Sequence, residues 1–164
     1  MWKKNTIQTA TRALCVLLMT TGVSVADPKP KGAKTADSQT IANLYVGKTQ
    51  SWESCKGGVY YGSNWQAQAF CSKAGQAVGV GNWSVKRGKV CSVMNWYWQE
   101  DGGVGSKTNQ KDKCINHVVD KDGQIWRNWQ GDKDWWRVGP SSKHLTKGFK
   151  FNRKVNRLRK KLGV

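Results

Sequence analysis

Hydrophobic residues recur in short runs along the middle of the chain. Between residues 48 and 138, runs rich in Trp, Tyr, Val and Ile alternate with clusters of Gly, Asn, Asp and Ser. This pattern is typical of strands separated by tight turns, and no stretch keeps a helical period. We therefore expect an all-β fold, a small antiparallel meander that forms a barrel or sandwich of about eight strands. The predicted strands lie near 49–55, 58–62, 65–72, 77–86, 89–99, 112–119, 123–129 and 134–138.

Glycines predict where this region turns. Gly88, between the runs 77–86 and 89–99, can adopt the left-handed conformation that a short hairpin turn with a bulge requires. The stretch 100–111 is rich in glycine and polar residues. We predict a longer loop there, of the kind that is often functional.

The pattern changes near the C-terminus. Four apolar residues recur at spacings of four, three and four, which places them on one side of a helix: Phe151, Val155, Leu158 and Leu162. Most of the remaining positions are basic. Asn152 suits an N-cap and Gly163 suits the end of a helix. The segment 143–164 is therefore predicted to be a tail that forms a basic amphipathic helix.

The chain is strongly basic, with 28 Lys and Arg residues, 10 Asp and Glu residues and a formal net charge of +18. Nine of the basic residues and none of the acidic ones lie in the tail. Three interpretations of the tail remain open. In the first, the apolar stripe packs on the barrel or the tail is a solvated extension. In the second, the tail contacts a membrane surface or lipopolysaccharide. In the third, the tail binds nucleic acid.

The N-terminus has the three-part pattern of a secretory signal peptide, which argues against nucleic acid as a partner. Basic residues precede the apolar run 13–19, and small residues precede a predicted cleavage site after Ala26. The run is too short to span a membrane, although a retained anchor is an alternative. After the signal peptide 1–26, the polar stretch 27–40 predicts a flexible leader. The β domain would then be 41–142, in a protein of the periplasm or secreted from the cell.

Export determines how the cysteines are interpreted. Four cysteines outside the signal peptide predict two disulfides: Cys55, Cys71, Cys91 and Cys114. Of the three possible connectivities we favour Cys55 with Cys71 and Cys91 with Cys114, because each pair lies on neighbouring predicted strands. The two histidines do not combine with the cysteines at zinc-finger spacing, so we expect no metal site.

The ten tryptophans are the most unusual feature of the composition. We expect most of them in the core, because a small barrel with few Leu and Ile residues must fill its interior with rings. Exposed rings can stack on sugars or nucleobases. Adjacent strand residues point to opposite faces, so one of Trp135 and Trp136 faces outward, and Tyr97 lies opposite Trp96 and Trp98. The candidate ligand-binding residues are Tyr97, Trp98, Trp135, Trp136, Arg153, Lys154, Arg157, Lys160 and Lys161.

Motifs for catalysis are weak. His117 stands alone on a predicted strand and is interpreted as a hydrogen-bonded structural residue. Glu53 and Glu100 are the only glutamates, whereas glycoside hydrolysis needs two carboxyl groups at a defined separation across a cleft. The stretch 120–123 lacks the later ligands of a calcium loop. We expect no catalytic residue and no cofactor.

Scattered residues resemble those of an exported bacterial family, the domain of unknown function 995. The resemblance covers about 42–138, and the basic tail lies outside it. It implies a small periplasmic β domain and supplies no established chemistry. The matching residues are Leu-Tyr-Val-Gly-Lys-Thr at 44–49, Trp52, Gly58, Tyr60, Tyr61, Trp65, Ala67, Gly81-x-Trp83-x-Val85-x-x-Gly88-x-x-Cys91, Cys114 and Gly123-x-x-Trp126.

Export, surplus aromatic residues and the cationic tail together indicate a class of function. We expect a non-enzymatic domain that acts as a monomer and binds an anionic envelope component such as peptidoglycan, another anionic glycan or lipid. The alternative is a small envelope enzyme, or an inhibitor of a hydrolase that presents the loop 100–111.

Overall fold

The structure is a computed structural model that describes residues 27–73, 75–109, 113–139 and 144–164. The predicted signal peptide lies outside these residues. Within them the chain forms eleven strands and two helices. The strands are β1 (Lys34–Thr35), β2 (Lys48–Trp52), β3 (Gly57–Tyr61), β4 (Gln66–Cys71), β5 (Ala77–Lys86), β6 (Lys89–Glu100), β7 (Gly103–Thr108), β8 (Lys113–Val119), β9 (Ile125–Trp129), β10 (Trp136–Val138) and β11 (Leu145–Lys147). The helices are α1 (Ser38–Tyr45) and α2 (Asn152–Leu162).

The strands form one antiparallel sheet that curls into a half-barrel. Its order is β10-β9-β8-β6-β5-β4-β3-β2-β11, with β7 paired to β6 and β1 paired to β8 beside this path. Most neighbours along the path follow one another in the sequence, as expected for a meander. The all-β prediction and the C-terminal helix are confirmed. The eight predicted strands correspond to β2 to β6 and β8 to β10.

Two segments are more ordered than their composition indicates. The predicted loop 100–111 contains β7, which pairs with Asn95 to Glu100 of β6. The predicted flexible leader 27–40 is also wrong. Asp27 exchanges backbone hydrogen bonds with Trp135, β1 pairs with β8, and α1 begins at Ser38. Backbone hydrogen bonds hold both segments, and such bonds leave no mark on hydrophobic patterning.

The inner face of the sheet, defined as the face that packs around α1, carries the larger core. Residues from α1 and from β3, β4, β5, β6 and β8 meet in one cluster, because a curled sheet directs side chains of many strands to one interior. Small residues leave room for rings: a Cβ added to Gly79 would lie 3.2 Å from the Trp96 ring. The buried members are Ala36, Ile41, Tyr45, Val59, Tyr61, Ala67, Ala69, Trp83, Val90, Met94 and Ile115.

The outer face, defined as the face that packs against α2, carries a smaller core. Phe70 of β4 and Val78 of β5 pack against the helix residues Val155, Leu158 and Leu162. The tail interpretation in which the apolar stripe packs on the sheet therefore describes this structure.

Fewer tryptophans are buried than we expected. Trp83 and Trp126 are buried, and Trp52 and Trp96 are half-buried against the inner core. Three others are exposed: Trp65, Trp129 and Trp136. A half-barrel has open edges, and rings near an edge cannot be enclosed on both sides.

The cysteine prediction is half confirmed. Cys91 and Cys114 are direct cross-strand partners on β6 and β8 and form a disulfide. Cys55 and Cys71 are free thiols, which corrects the second predicted disulfide. Cys55 lies in the turn after β2, which ends at Trp52, and β3 lies between β2 and β4, so the two cysteines are not the cross-strand partners that the prediction assumed.

Candidate functional site

Helix α2 has a buried, apolar side and a solvent-exposed side. Val155, Leu158 and Leu162 are buried, and Phe151 stacks on Phe70 with ring centroids 6.0 Å apart. This packing covers the apolar stripe. The stripe is therefore not free to enter a lipid surface in this structure.

The N-terminus of α2 differs from the prediction, whereas its C-terminus agrees with it. The N-cap is Phe151, without a side-chain cap, and Asn152 is the first helical residue. The predicted stop is confirmed: Gly163 has φ 72°, and its N–H donates to the Arg159 carbonyl. Three basic residues in the last turn, Arg159 to Lys161, suit the negative end of the helix dipole.

The solvent-exposed side of α2 is cationic. Five predicted site residues lie exposed on it: Arg153, Lys154, Arg157, Lys160 and Lys161. The helix contains no acidic residue. Within the described parts of the chain the single ion pair joins Lys121 and Asp122, at 3.9 Å, so none of the five helix cations is paired with a carboxylate there.

A groove of 440 Å³ lies where the C-terminal half of α2 meets the ends of β5 and β6. Leu158, Ala77 and Trp98 are its more buried residues, and four polar side chains are exposed around them. Two are ammonium groups and two are amides, and all are hydrogen-bond donors. The lining residues are Lys73, Gly75, Gln76, Ala77, Trp98, Gln99, Leu158 and Lys161.

Hydrogen bonds hold the β6 side of the groove in place. Trp98 Nε1 donates to Glu100 Oε1 at 2.7 Å, and Gln99 Nε2 donates to the Gly103 carbonyl at 2.8 Å. A Cβ at Gly105 would lie 2.5 Å from both Trp98 Nε1 and Glu100 Oε1. The glycine of β7 thus makes space for the bonded pair, and β7 supports the groove.

One family model matches the chain, that of DUF995, a protein family of unknown function, over residues 13–153. The chain belongs to the DUF995 family. No curated protein and no solved structure matches it. The DUF995 match is wider than the resemblance described above, but it ends at residue 153, so nearly all of α2 lies beyond it.

The element that best marks this DUF995 chain, Gly81 to Cys91, has a structural explanation. A Cβ at Gly81 would lie 1.9 Å from the Val93 carbonyl oxygen of the paired strand. Trp83 is buried, with Nε1 donating to the Gly62 carbonyl at 2.9 Å. Gly88 has φ 68° in the turn, and Cys91 forms the disulfide. These residues build the β5–β6 hairpin, and none of them lines the groove.

The structure brings together only part of the predicted ligand-binding set. Trp98 and Lys161 meet in the groove. Tyr97 instead packs on the outer core beneath α2. Its ring is therefore structural, because the strand alternation that separates it from Trp98 directs it toward the helix.

Trp135 and Trp136 lie away from the groove. They are at the β10 edge of the sheet, next to β9. Trp135 exchanges backbone hydrogen bonds with Asp27, and Lys29 Nζ lies 5.9 Å from its ring centroid. Trp136 is exposed, opposite Arg127 of β9. These two rings do not join the groove in the structure.

Three polar groove residues were not among the predicted site residues: Lys73, Gln76 and Gln99. Leu158 was predicted only as part of the apolar stripe and not as a groove residue. Gln99 follows Trp98 directly, and a search for amides beside exposed rings would have found it. Lys73 and Gln76 lie between β4 and β5 and carry no such signal. They reach the groove only because the hairpin places them beside α2.

A second polar cluster lies inside the half-barrel. His117 Nδ1 is 3.0 Å from the Gly88 carbonyl, which can only accept, so Nδ1 carries the hydrogen. Nε2 then accepts from the Tyr45 hydroxyl at 2.9 Å. Burial lowers the pKa of His117 to about 4 and raises the pKa of Tyr45 to about 12, while the charge of Arg127 lowers the latter. Both nitrogens of His117 have partners, as expected of a structural residue.

Metal ligands do not gather in the part of the chain that the structure describes. No group of three or more His, Cys, Asp or Glu side chains there is close enough to hold an ion. The helices in the same ranges are also too short or too polar to cross a bilayer.

Proposed function

We propose that this DUF995 chain is an exported, non-enzymatic domain that binds an anionic glycan of the cell envelope. The observation that carries the proposal is the groove, where Trp98, two lysines and two glutamines converge beside the cationic side of α2. The predicted signal peptide motivates the compartment.

The groove chemistry suits an acidic sugar. A half-buried indole offers an apolar surface for a sugar ring, and amide side chains can hydrogen-bond hydroxyl groups. The ammonium groups of Lys73 and Lys161 can bind carboxylate or phosphate oxygens. The proposal therefore requires both charge and a ring-shaped ligand.

The rest of α2 supplies long-range attraction. Its exposed cations have no carboxylate partner among the described residues, and fields from such surfaces raise the association rate with anionic ligands. The interaction should weaken as salt screens it. A glycan is favoured over a lipid bilayer because the apolar stripe of α2 is already covered by Phe70 and Val78.

A matched pair of double variants tests the groove. Lys73→Gln with Lys161→Gln removes two groove charges, and Lys121→Gln with Lys133→Gln removes two exposed charges from turns outside the groove and α2. We expect the groove variant to bind purified sacculi and a soluble polyuronate at least about tenfold more weakly than the control variant, since each charge-assisted hydrogen bond contributes about 1.5 kcal/mol. Equal affinities of the two double variants would contradict the proposal.

Two further arms separate the ligand classes. Binding to an uncharged dextran should be absent, because it offers no anion to the lysines. Tight binding to anionic phospholipid vesicles without binding to sacculi or polyuronate would favour a membrane partner instead. Release of soluble fragments from sacculi by the protein would indicate an enzyme.

A further inference from the structure

Cys55 and Cys71 form a pair of free thiols beside the groove. Cys55 lies in the turn between β2 and β3, Cys71 ends β4, and both are half-buried. The Cys71 thiol lies 3.6 Å from the Cys55 carbonyl oxygen. Burial raises the pKa of Cys55 to about 12, and a hydrogen bond with the Cys71 thiol adds to the rise.

The thiol pair is connected to the groove through the backbone. The Cys55 carbonyl accepts hydrogen bonds from the amides of Ser72, at 2.9 Å, and Lys73, at 3.2 Å. Lys73 lines the groove. In addition, Cys71 is the cross-strand partner of Ala77, which is in turn the partner of Trp98. Two groove residues, Lys73 and Ala77, are thus direct neighbours of the thiol pair, and Trp98 lies one strand further away.

The other cysteine pair differs in accessibility. Cys114 is buried, Cys91 is half-buried, and the two are already bonded to each other, so one sulfur of that disulfide is enclosed. Cys55 and Cys71 both reach solvent, and Lys56, next to Cys55, has φ 50° in a turn. A turn outside the sheet can rearrange to bring two adjacent sulfurs together at less cost than a strand can.

We propose that Cys55 and Cys71 are a site of reversible disulfide formation whose state sets the order of the groove. The oxidant is a small disulfide or a disulfide of another protein. The Cys71 thiolate attacks one sulfur of that disulfide, the disulfide bond breaks, and one thiolate leaves. The Cys55 thiolate then attacks the Cys71 sulfur and releases the second thiolate. The two released thiolates take up the two protons that the protein thiols lost, so one disulfide is reduced as another forms.

Closure should stabilise the Lys73 side of the groove. A bond between Cys55 and Cys71 would fix the turn that presents the Cys55 carbonyl, and the hydrogen bonds from Ser72 and Lys73 would open less often. We expect amide hydrogen exchange at these two residues to slow at least several-fold in the oxidised protein. This measurement requires no ligand.

The first test follows the thiols. The full chain is equilibrated with oxidised and reduced glutathione at several ratios, alkylated, and mapped by mass spectrometry. We expect Cys55 and Cys71 to lose alkylation together as the ratio becomes oxidising and to regain it on reversal, while Cys91 and Cys114 stay protected throughout. Either of two results would overturn the proposal: stable mixed disulfides with glutathione at separate cysteines, or a Cys55–Cys71 bond that the native protein never reopens.

Variants separate the thiol chemistry from folding and from binding. Cys55→Ser should leave Cys71 able to form only a mixed disulfide. In the variant with both cysteines replaced by serine, hydrogen exchange at the Ser72 and Lys73 amides should not slow under oxidising or reducing conditions. If the oxidised and reduced proteins exchange these amides at equal rates, the link to the groove is wrong. The ligand arm rests on the proposed function: oxidation should change polyuronate affinity in the wild type only. Failure of polyuronate binding in both redox states would count against the proposed function and leave the thiol result standing.

Discussion

The two faces of the sheet are each covered by one helix, but the helices differ in chemistry. Helix α1, on the inner face, has no charged residue, and Tyr45 at its end reaches the His117 ring. Helix α2, on the outer face, buries a narrow aliphatic stripe and exposes a dense set of cations. The inner helix completes a core that includes specific hydrogen bonds, whereas the outer helix attaches a charged surface to the sheet.

On the proposed function, this difference assigns stability to the inner face and binding to the outer one. The inner face joins residues from many strands, so a defect there disturbs the whole half-barrel. The outer face joins α2 to Phe70 and Val78 with few polar constraints, so it can tolerate changes of charge on its exposed side. The groove lies where the sheet meets α2, because Trp98 and Ala77 come from the sheet and Leu158 and Lys161 from α2.

The largest expected effect is on the inner face. Trp83→Ala removes a buried ring that packs against Tyr61 and Trp65 and takes one of two donors from the Gly62 carbonyl, which keeps the Trp65 N–H. We expect a loss of about 3 to 5 kcal/mol in the free energy of unfolding, measured by urea titration. Trp83→Phe should lose less, since most of the ring is kept. A loss from Trp83→Ala below that of the outer-face variant in the next paragraph would reverse our ranking of the two faces.

The next effect is on the outer face. Leu158→Ala removes a buried side chain from the centre of the α2 stripe, and we expect a loss of about 2 to 5 kcal/mol in the free energy of unfolding. Arg157→Ala, its exposed neighbour, should change it by less than about 0.5 kcal/mol. Hydrogen exchange of α2 amides, compared in the two variants, shows whether the helix detaches alone. Equal effects of the two substitutions would mean that α2 is not held by its stripe.

The third prediction concerns His117 on the inner face. We expect the free energy of unfolding to fall by about 3 kcal/mol on acidification because of this residue. The folded protein keeps His117 neutral down to pH about 4, from a usual value of 6.5. Below pH 6.5 the unfolded chain takes up a proton that the folded chain does not, so stability is complete above pH 6.5 and falls as the pH approaches 4. Urea unfolding of wild type and His117→Gln across this range measures the difference. Parallel pH curves for the two proteins would show that His117 does not carry this dependence.

The smallest effect concerns how α2 ends. Gly163→Ala places a Cβ at φ 72° with nothing within 4 Å of it, so the cost is backbone strain alone, about 1 kcal/mol. Gly139→Ala, also with open space around it and no positive φ, should have little effect. Circular dichroism and the melting temperature of the two variants make the comparison. A neutral Gly163→Ala would show that the left-handed cap does not matter to α2.

The elements that were predictable share one property: their pattern and their packing agree locally. The β5–β6 hairpin was recognisable from alternation around Gly88, and Cys91 faces Cys114 because both lie on regular strands. The stripe of α2 was recognisable for the same reason. In contrast, β7 contains a single apolar residue of any size, Val104, which is exposed. Nothing in its composition distinguishes it from a loop.

The candidate site was less predictable than the fold. Trp98 and Lys161 were chosen as an exposed ring and an exposed cation, and the groove joins them. Lys73 and Gln76 are ordinary polar turn residues until the β4–β5 hairpin sets them beside α2, a helix that begins more than seventy residues later, at Asn152. Cys55 and Cys71 were predicted to form a disulfide across neighbouring strands, but both are free thiols, and Cys55 lies in the turn after β2.

By itself, the sequence determined the period-two strands, the amphipathic helix, one disulfide and the excess of positive charge at the C-terminus. These features depend on short-range spacing, since the geometry of a strand, a hairpin or a helix relates residues a few positions apart. Only the tertiary structure decided which face α2 covers, that the leader joins the sheet at Asp27 and β1, and that the groove and the thiol pair share Lys73 as a neighbour. Those relations come from the curl of the sheet and from backbone hydrogen bonds between distant segments, which side-chain patterning does not encode.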